Sequence, residues 1–554
     1  MALQYLKNSE SAVDYGALRT LVVDDIPGMR SALKMTLSNF GVTRTDVAST
    51  AQEAIARLNN ATYDLILADY NLGDSRDGQQ LLEELRHRGL IGLQTIYVMV
   101  TAESVYEKVA ATAELAPDDY LLKPFNGEVL RNRLEVIIAR KMAFREIHAL
   151  FEQHDLEGAI VACDTLIAAK PRYIIDALRF KGELLNAMGR FEEGEALYRQ
   201  VIEMRAVPWA RLGLARMLHA EGREEEAEGV LLDAIENAPE MVAAYDLLAE
   251  VRVARKDAKG AQQALQEGVS ISGKTVRRQQ QLGELAYENG DLKSAQIAYQ
   301  AALDKGRHSI FVTHADYSNL CRTQIEQGNL NGAMDTLNKG KDFLKLTPEG
   351  QLVSAVVQSV VHTQAGQPEA ARRALDDASR LRQGGARGDG RLMLDLADAC
   401  IAQGRHEEGD AIVGEVAKNA HDHEALLDKA KAIYARSGRA EAGAELLKKA
   451  TSEVRQLNNE GVYLAQKGDF DGAVQRLLTA AREAPYNPRV LMNAVWVVLR
   501  AIDKNGLKDD QLQEARRLLD EIEKLAPAHS RLPGLRTHLR EIEARYGIKR
   551  RTST

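Results

Sequence analysis

Asp24 and Asp25 follow the apolar run Thr20–Val23. Asp69 follows Tyr63–Ala68, Thr101 follows Thr95–Val100, and Lys123 follows Tyr120–Leu122. Three carboxylates brought to one place repel one another, and such a cluster is stable only when a cation sits in it. An all-oxygen donor set suits a hard ion such as Mg2+. A lysine adds a point charge for a phosphoryl oxygen, and a threonine hydroxyl adds a hydrogen-bond donor. If these residues converge, they suit phosphoryl transfer onto a carboxylate, with a carboxylate oxygen as nucleophile.

What could make them converge is the order of the elements. The four runs read as strands, and the weaker Asp46–Ala48 supplies a fifth. Gly28–Phe40 and Gln79–Arg88 read as helices between them. Strands alternating with helices imply a parallel sheet covered on both faces. In such a sheet the ligand site lies at the carboxyl ends of the strands, where all five residues fall.

On these residues, stretch 17–140 resembles the response-regulator receiver family. The matching pieces are VVDD at 22–25, LILADYN at 65–71, MVTAE at 99–103 and DDYLLKPF at 118–125. The resemblance implies a flavodoxin-like α/β fold with a five-stranded parallel sheet. It implies Asp69 as phosphoacceptor and Mg2+ held by Asp24, Asp25, Asp69 and the main-chain carbonyl of Asn71. Thr101 and Lys123 would bind the phosphoryl group, Tyr120 would be the switch aromatic, and Asn71 and Glu103 would tune dephosphorylation. It also implies a histidine kinase as partner, no enzymatic activity beyond the domain's own phosphorylation and dephosphorylation, and a possible homodimer. One departure stands out: Gly73 occupies the place where the family commonly has proline, and the approach to Asp77-Gly78 is one residue longer.

After Phe125 the strand signals stop and a helical pattern repeats to the end. Inter-helix turns fall at Gly189, Gly222, Lys256 and Gly290, spaced 33, 34 and 34 residues apart. Small residues five positions later keep the same step: Gly194, Ala227, Ala261 and Ala295. Later units carry Ala333, Ala371, Gly409, Gly443 and Ala473. Two helices and two turns take about 34 residues, and each hairpin must bury its apolar face on its neighbours. This stretch resembles the tetratricopeptide-repeat (TPR) family in Leu282-Gly283, Ala295, Tyr299 and Ala302, and again in Gly182, Gly194 and Tyr198. The resemblance implies an all-α TPR superhelix that binds a protein partner, with Arg179, Asn186, Arg216 and His219 as groove residues. The expected organisation is an N-terminal extension (1–16), the receiver (17–140), two parts of the array (141–385 and 386–546) and a tail (547–554). The glycine run at 384–390 would be the hinge between the parts. Between Gly127 and His154 there is no further glycine or proline, so the receiver's last helix should run into, or abut, the first repeat helix.

Composition narrows the function further. Net charge is −8 with a pI near 5.9, which gives no general basic field for nucleic acid. Cys163, Cys321 and Cys400 have no metal or disulfide spacing and suit a reducing compartment. The first ten residues lack the apolar core of a signal peptide. The longest apolar run, Ala494–Leu499, is far short of the ~20 residues a bilayer needs. A cytoplasmic protein without a membrane span is expected. Gly268–Thr275 fits the P-loop pattern GxxxxGK[ST] letter for letter, but it falls in an inter-repeat turn with no strand before it. His421 and His423 lack a third ligand at metal spacing. The alternative function weighed is a stoichiometric regulator that binds a histidine kinase or another response regulator and modulates phosphoryl flow.

Overall fold

Three of the five strands are buried almost throughout and a fourth, Asp119–Leu122, at its two central residues, which is why they read as apolar runs. A computed structural model describes residues 14–548, apart from 74–75, 103–116, 206, 274, 308 and 527–530. Strands β1 (Arg19–Val23), β2 (Arg44–Ala48), β3 (Leu65–Asp69), β4 (Ile96–Thr101) and β5 (Asp119–Leu122) form one sheet in the order β2-β1-β3-β4-β5. Every pairing is parallel. Only the edge strand β2 is largely solvated, and this explains its faint pattern. Strand order reverses between β1 and β3. Their register pairs Val23 with Ala68, so Asp24 and Asp69 emerge together at that switch point.

Side chains leave the sheet alternately. Leu21, Val23, Ile66, Ala68, Tyr97 and Met99 pack under helices α2 (Ala51–Asn60) and α3 (Gly78–His87). Val22, Leu65, Leu67, Val98 and Val100 face α1 (Pro27–Asn39) and α4 (Gly127–Ala143). The helix starts are written locally. Pro27 opens α1, Thr50 caps α2, Asp77 and Gln80 form a capping box on α3, and Asn126 caps α4.

The junction is two abutting helices rather than one rod. Helix α4 ends at Phe144, whose N–H is shared between the Arg140 and Met142 carbonyls, and α5 (Arg145–Glu152) follows at once. The Phe144 ring is buried beside His148, Tyr173 and Phe180, which fixes the bend. The segment before β4 anchors both helices. Lys141 Nζ donates to the Leu93 carbonyl at 2.5 Å and pairs with Asp118 at 2.8 Å. Gln94 bonds His148 at 2.9 Å, and Glu152 accepts from the Leu93 N–H.

Helical hairpins follow to the end, and the periodic small residues behave as their spacing demands. Ala159, Ala227, Ala261, Ala295, Ala333 and Ala473 are fully buried. Gly182 and Gly213 both lie against Tyr198, and a Cβ on either would collide with its ring. One unit departs from the scheme. Ala440–Gln466 is a single 27-residue helix that merges the second helix of one repeat with the first of the next. The missing turn explains why Gly443 and Ala473 are only 30 apart.

The chain forms two compact units, one running to Asn289 with Gln300–Val312, the other comprising Gly290–Tyr299 and Thr313 onward. The division expected at the glycine run 384–390 is not where these units part. That run is a short connection with Ala386 buried in the same core as Leu375 and Leu392. Among the described residues no helix is long and apolar enough to cross a membrane. The three cysteines are buried and unbridged, and burial pushes their thiols up to about 12.

Two glycines inside repeat helices should respond oppositely to alanine. Gly213→Ala should destabilise by roughly 1–3 kcal/mol through overpacking against Tyr198. Gly229→Ala, exposed on its helix with nothing within 4 Å, should stabilise by about 0.5–1 kcal/mol. Thermal unfolding of both variants beside the parent reads the two signs.

Candidate functional site

At the carboxyl edge of the sheet, Asp24, Asp25 and Asp69 offer oxygen atoms that all lie within 4.8 Å of one another. Among the described residues this is the one such grouping of three acidic, histidine or cysteine ligands. Lys123, at the end of β5, places Nζ 3.2 Å from Asp24 Oδ2 and 3.1 Å from Asp69 Oδ1. Asp24 is fully buried and Asp69 nearly so, whereas Asp25 is exposed. One carboxylate oxygen of Asp24 accepts from the Ile26 N–H at 2.9 Å, and Arg30 donates to its main-chain carbonyl at 2.6 Å. The turn into α1 thus fixes the first carboxylate.

Burial raises the Asp69 carboxyl above its ordinary range. The Asp24 charge pushes the same way, against the pull of Lys123. Three carboxylates held together with one ammonium are a donor set that fits a hard divalent cation by charge and by ligand chemistry.

Thr101 ends β4 and is buried, and its carbonyl accepts from the Lys123 N–H at 2.7 Å. Tyr120 is turned into the core with Tyr97 and Met99, and burial raises its phenol. Arg133 grips both Asp119 and the Tyr120 carbonyl, which holds β5 in place. Asn71 is exposed two residues beyond Asp69, and Glu103 lies outside the described residues.

The glycine departure has a geometric cause. Gly73 adopts φ +73° beside Asp25, a conformation proline cannot take. Gly78 carries a second constraint. Its N–H donates to the Tyr70 carbonyl at 2.8 Å, and a Cβ there would collide with the Asp69 carbonyl. The Asp77-Gly78 pair therefore packs α3 directly onto the acidic strand end.

In the array, Arg179, Asn186 and Arg216 do line one cavity of about 310 Å3, together with Tyr198 and Trp209. The Arg179 guanidinium lies 5.8 Å from the Trp209 ring centre. His219 does not join them; its Nδ1 pairs with Glu224 at 2.7 Å, at the start of the following helix. A larger cavity, about 1190 Å3, opens in the second unit between Val353, Met393, Leu426 and Tyr486, with Arg387 and Arg489 on its wall. Its residues come from distant repeats, so no local motif marks it. The P-loop-like stretch is the end of helix Ala258–Ile271 and the turn before Val276, with no strand ahead of it. His421 is buried against the Lys418 carbonyl and Asn487.

The chain is similar to known proteins over two separate stretches. The family model for the response regulator receiver domain matches residues 20–135. A tetratricopeptide-repeat model matches 181–242 and 360–409. Over 129 residues the chain is 30% identical to the chemotaxis protein CheY of Pseudomonas aeruginosa, covering 98% of that protein and 22% of this chain. It is 29% identical to CheY-3 of Vibrio cholerae, covering 93% of it and 22% of this chain. Among solved structures, the chemotaxis response regulator CheY4 of Vibrio cholerae matches at 28% identity and TM-score 0.20, over 22% of this chain and 98% of that one. A tetratricopeptide repeat protein from Parabacteroides merdae matches at 14% identity and TM-score 0.29, over 46% and 96%.

Because the folded-state carboxyl of Asp69 is raised, its ionisation opposes folding. The chain is relieved of this penalty below the ordinary carboxylate range and bears it fully above the raised value. Asp69→Asn should therefore raise the melting temperature at neutral pH in metal-free buffer. The gain should vanish as pH falls below about 4, where both states are protonated. Melting curves across that range check the sign.

Proposed function

The chain belongs to the response-regulator receiver family and carries tetratricopeptide repeats behind its receiver; on that premise we propose that phosphorylation of Asp69 controls how the repeats engage a protein partner. The observation that carries the proposal is Lys123 bridging Asp24 and Asp69 at the sheet's switch point. An Asp69 oxygen attacks the phosphorus of a phosphohistidine on a partner kinase. The P–O bond forms, the P–N bond breaks, and the imidazole leaves, taking a proton from solvent. Lys123 then pairs with a phosphoryl oxygen rather than with Asp69, and the Thr101 hydroxyl donates to another. Asp24, Asp25, Asp69 and the Asn71 carbonyl would hold Mg2+, which neutralises charge on the transferring group. Asn71 and Glu103, two residues beyond Asp69 and Thr101, set the access of water for hydrolysis.

Tyr120 and β5 would respond to Thr101, and β5 leads directly into α4 and the junction with the repeats. The chain acts on no substrate besides its own aspartate, and it works in the cytoplasm. The array supplies protein-binding surface, with the cavities beside Trp209 and Tyr486 as the contact regions. To carry such a switch from 1:99 to 99:1, the phosphoryl group must favour one state by about 5.5 kcal/mol.

Labelled small-molecule phosphodonor tests the acceptor. The parent chain should take up label only with Mg2+, Asp69→Asn should take up none, and Lys123→Ala should lose most of its uptake. Undiminished uptake by the asparagine variant would refute the assignment.

A further inference from the structure

Helix α3 is bound on two sides. On the inner side its first turn is fixed to the acidic strand end. Gly78 donates to the Tyr70 carbonyl, and Tyr97 Oη donates to the Gly78 carbonyl at 2.9 Å. Glu84, 1% exposed, is clasped by Arg76 of the loop after Asp69 at 2.5 Å and by Arg88 at 2.7 Å. Any rearrangement of Tyr70, Arg76 or Asp77 must therefore pull on α3.

On the outer side, Gln80, Glu83 and His87 fall at helical spacing along one face, with the buried Glu84 at its edge. This face does not meet solvent alone. Gln80 Nε2 donates to the main-chain carbonyl of Lys305 at 3.0 Å, across 225 residues of sequence. The His87 ring stands edge-on to Phe311, centroids 5.6 Å apart. Between them, burial raises the Glu83 carboxyl, with Arg277 and Arg278 as its opposing charges.

The array side is held independently. The Arg277 guanidinium lies 4.2 Å from the centre of the Phe311 ring, Gln280 donates to the Phe311 carbonyl at 2.9 Å, and Lys305 Nζ donates to the Gly273 carbonyl at 2.6 Å. All these residues belong to the first compact unit.

We infer that the outer face of α3 is a second output surface of the receiver, beside β5 and α4, and that its partner is this chain's own repeat array at Arg277, Lys305 and Phe311. The inference rests on the phosphoacceptor reading of Asp69. Through Arg76–Glu84 and the Gly78 contact, occupancy of Asp69 changes how firmly α3 holds Phe311. Coupling of this kind is reciprocal: weakening the α3–array contact must alter the affinity of the acidic site for a phosphoryl group by the factor with which the phosphoryl group alters the contact.

The test uses the full chain with beryllofluoride and Mg2+. Affinity is read by fluorine resonance in the parent, in Phe311→Ala, and in His87→Ala, an exposed substitution that leaves both cores intact. Hydrogen exchange of 78–87 and 309–312 is followed in parallel. Both variants should exchange faster at α3 without beryllofluoride, and their beryllofluoride affinity should move about fivefold or more from the parent's. Unchanged exchange in both variants overturns the contact. Faster exchange with identical beryllofluoride affinity overturns the coupling and leaves the acceptor assignment intact. No beryllofluoride binding by the parent sinks the acceptor assignment and the coupling with it, while the exchange result still reports on the contact.

Discussion

Three carboxylates stand together at the edge of a small sheet, two of them sharing one lysine, and much of the receiver can be understood as what it takes to hold them there. Left to solvent, Asp24, Asp25 and Asp69 would drift apart and be screened. Here the switch-point register carries Asp24 and Asp69 to the same height, and the turn into α1 clamps the first of them. Lys123 offsets only part of the charge, so the pocket keeps an electrostatic demand for a further cation. The two apolar cores are what make that arrangement rigid, since a strand buried on both faces cannot slide to relieve repulsion.

From that pocket, two covalently separate routes lead to the helical repeats. One runs along β5 and α4 to the Phe144 bend, where the segment around Leu93 and Gln94 fastens both helices to the sheet. The other runs through the loop after Asp69 to α3 and on to Phe311. Attachment at two separated places suppresses free rotation of one part about the other within this unit.

Much of this was legible in the sequence, for reasons that mark the boundary of such reading. Strand ends carrying Asp24, Asp69, Thr101 and Lys123 stood out because doubly covered strands leave unbroken apolar runs, and each run stops where the chemistry begins. The repeat period stood out because Tyr198, Met217 and Tyr434 need a small residue opposite them in Gly182, Gly194 and Gly443. Contacts between distant segments were another matter. Nothing in residues 78–87 announces Lys305 or Phe311, so the contact of Gln80 and His87 with them had no signal in the sequence. The bend at Phe144 is set by the aromatic residues that surround it, not by glycine or proline. His219 looks like a groove residue until Glu224 captures it. Gly73, noted only as a departure, turns out to need a backbone angle that forbids the usual residue.

The merged helix Ala440–Gln466 has a mechanical meaning for the second unit. Stacked hairpins normally yield at their connections, where one repeat can peel away while its neighbour stays folded. Here a single rod enters both neighbouring cores, anchoring Leu447 and Ala450 in one and Val454 and Ala465 in the other. With no flexible seam between them, these blocks should melt and respond to load as one, and fraying must start from the ends of the stack.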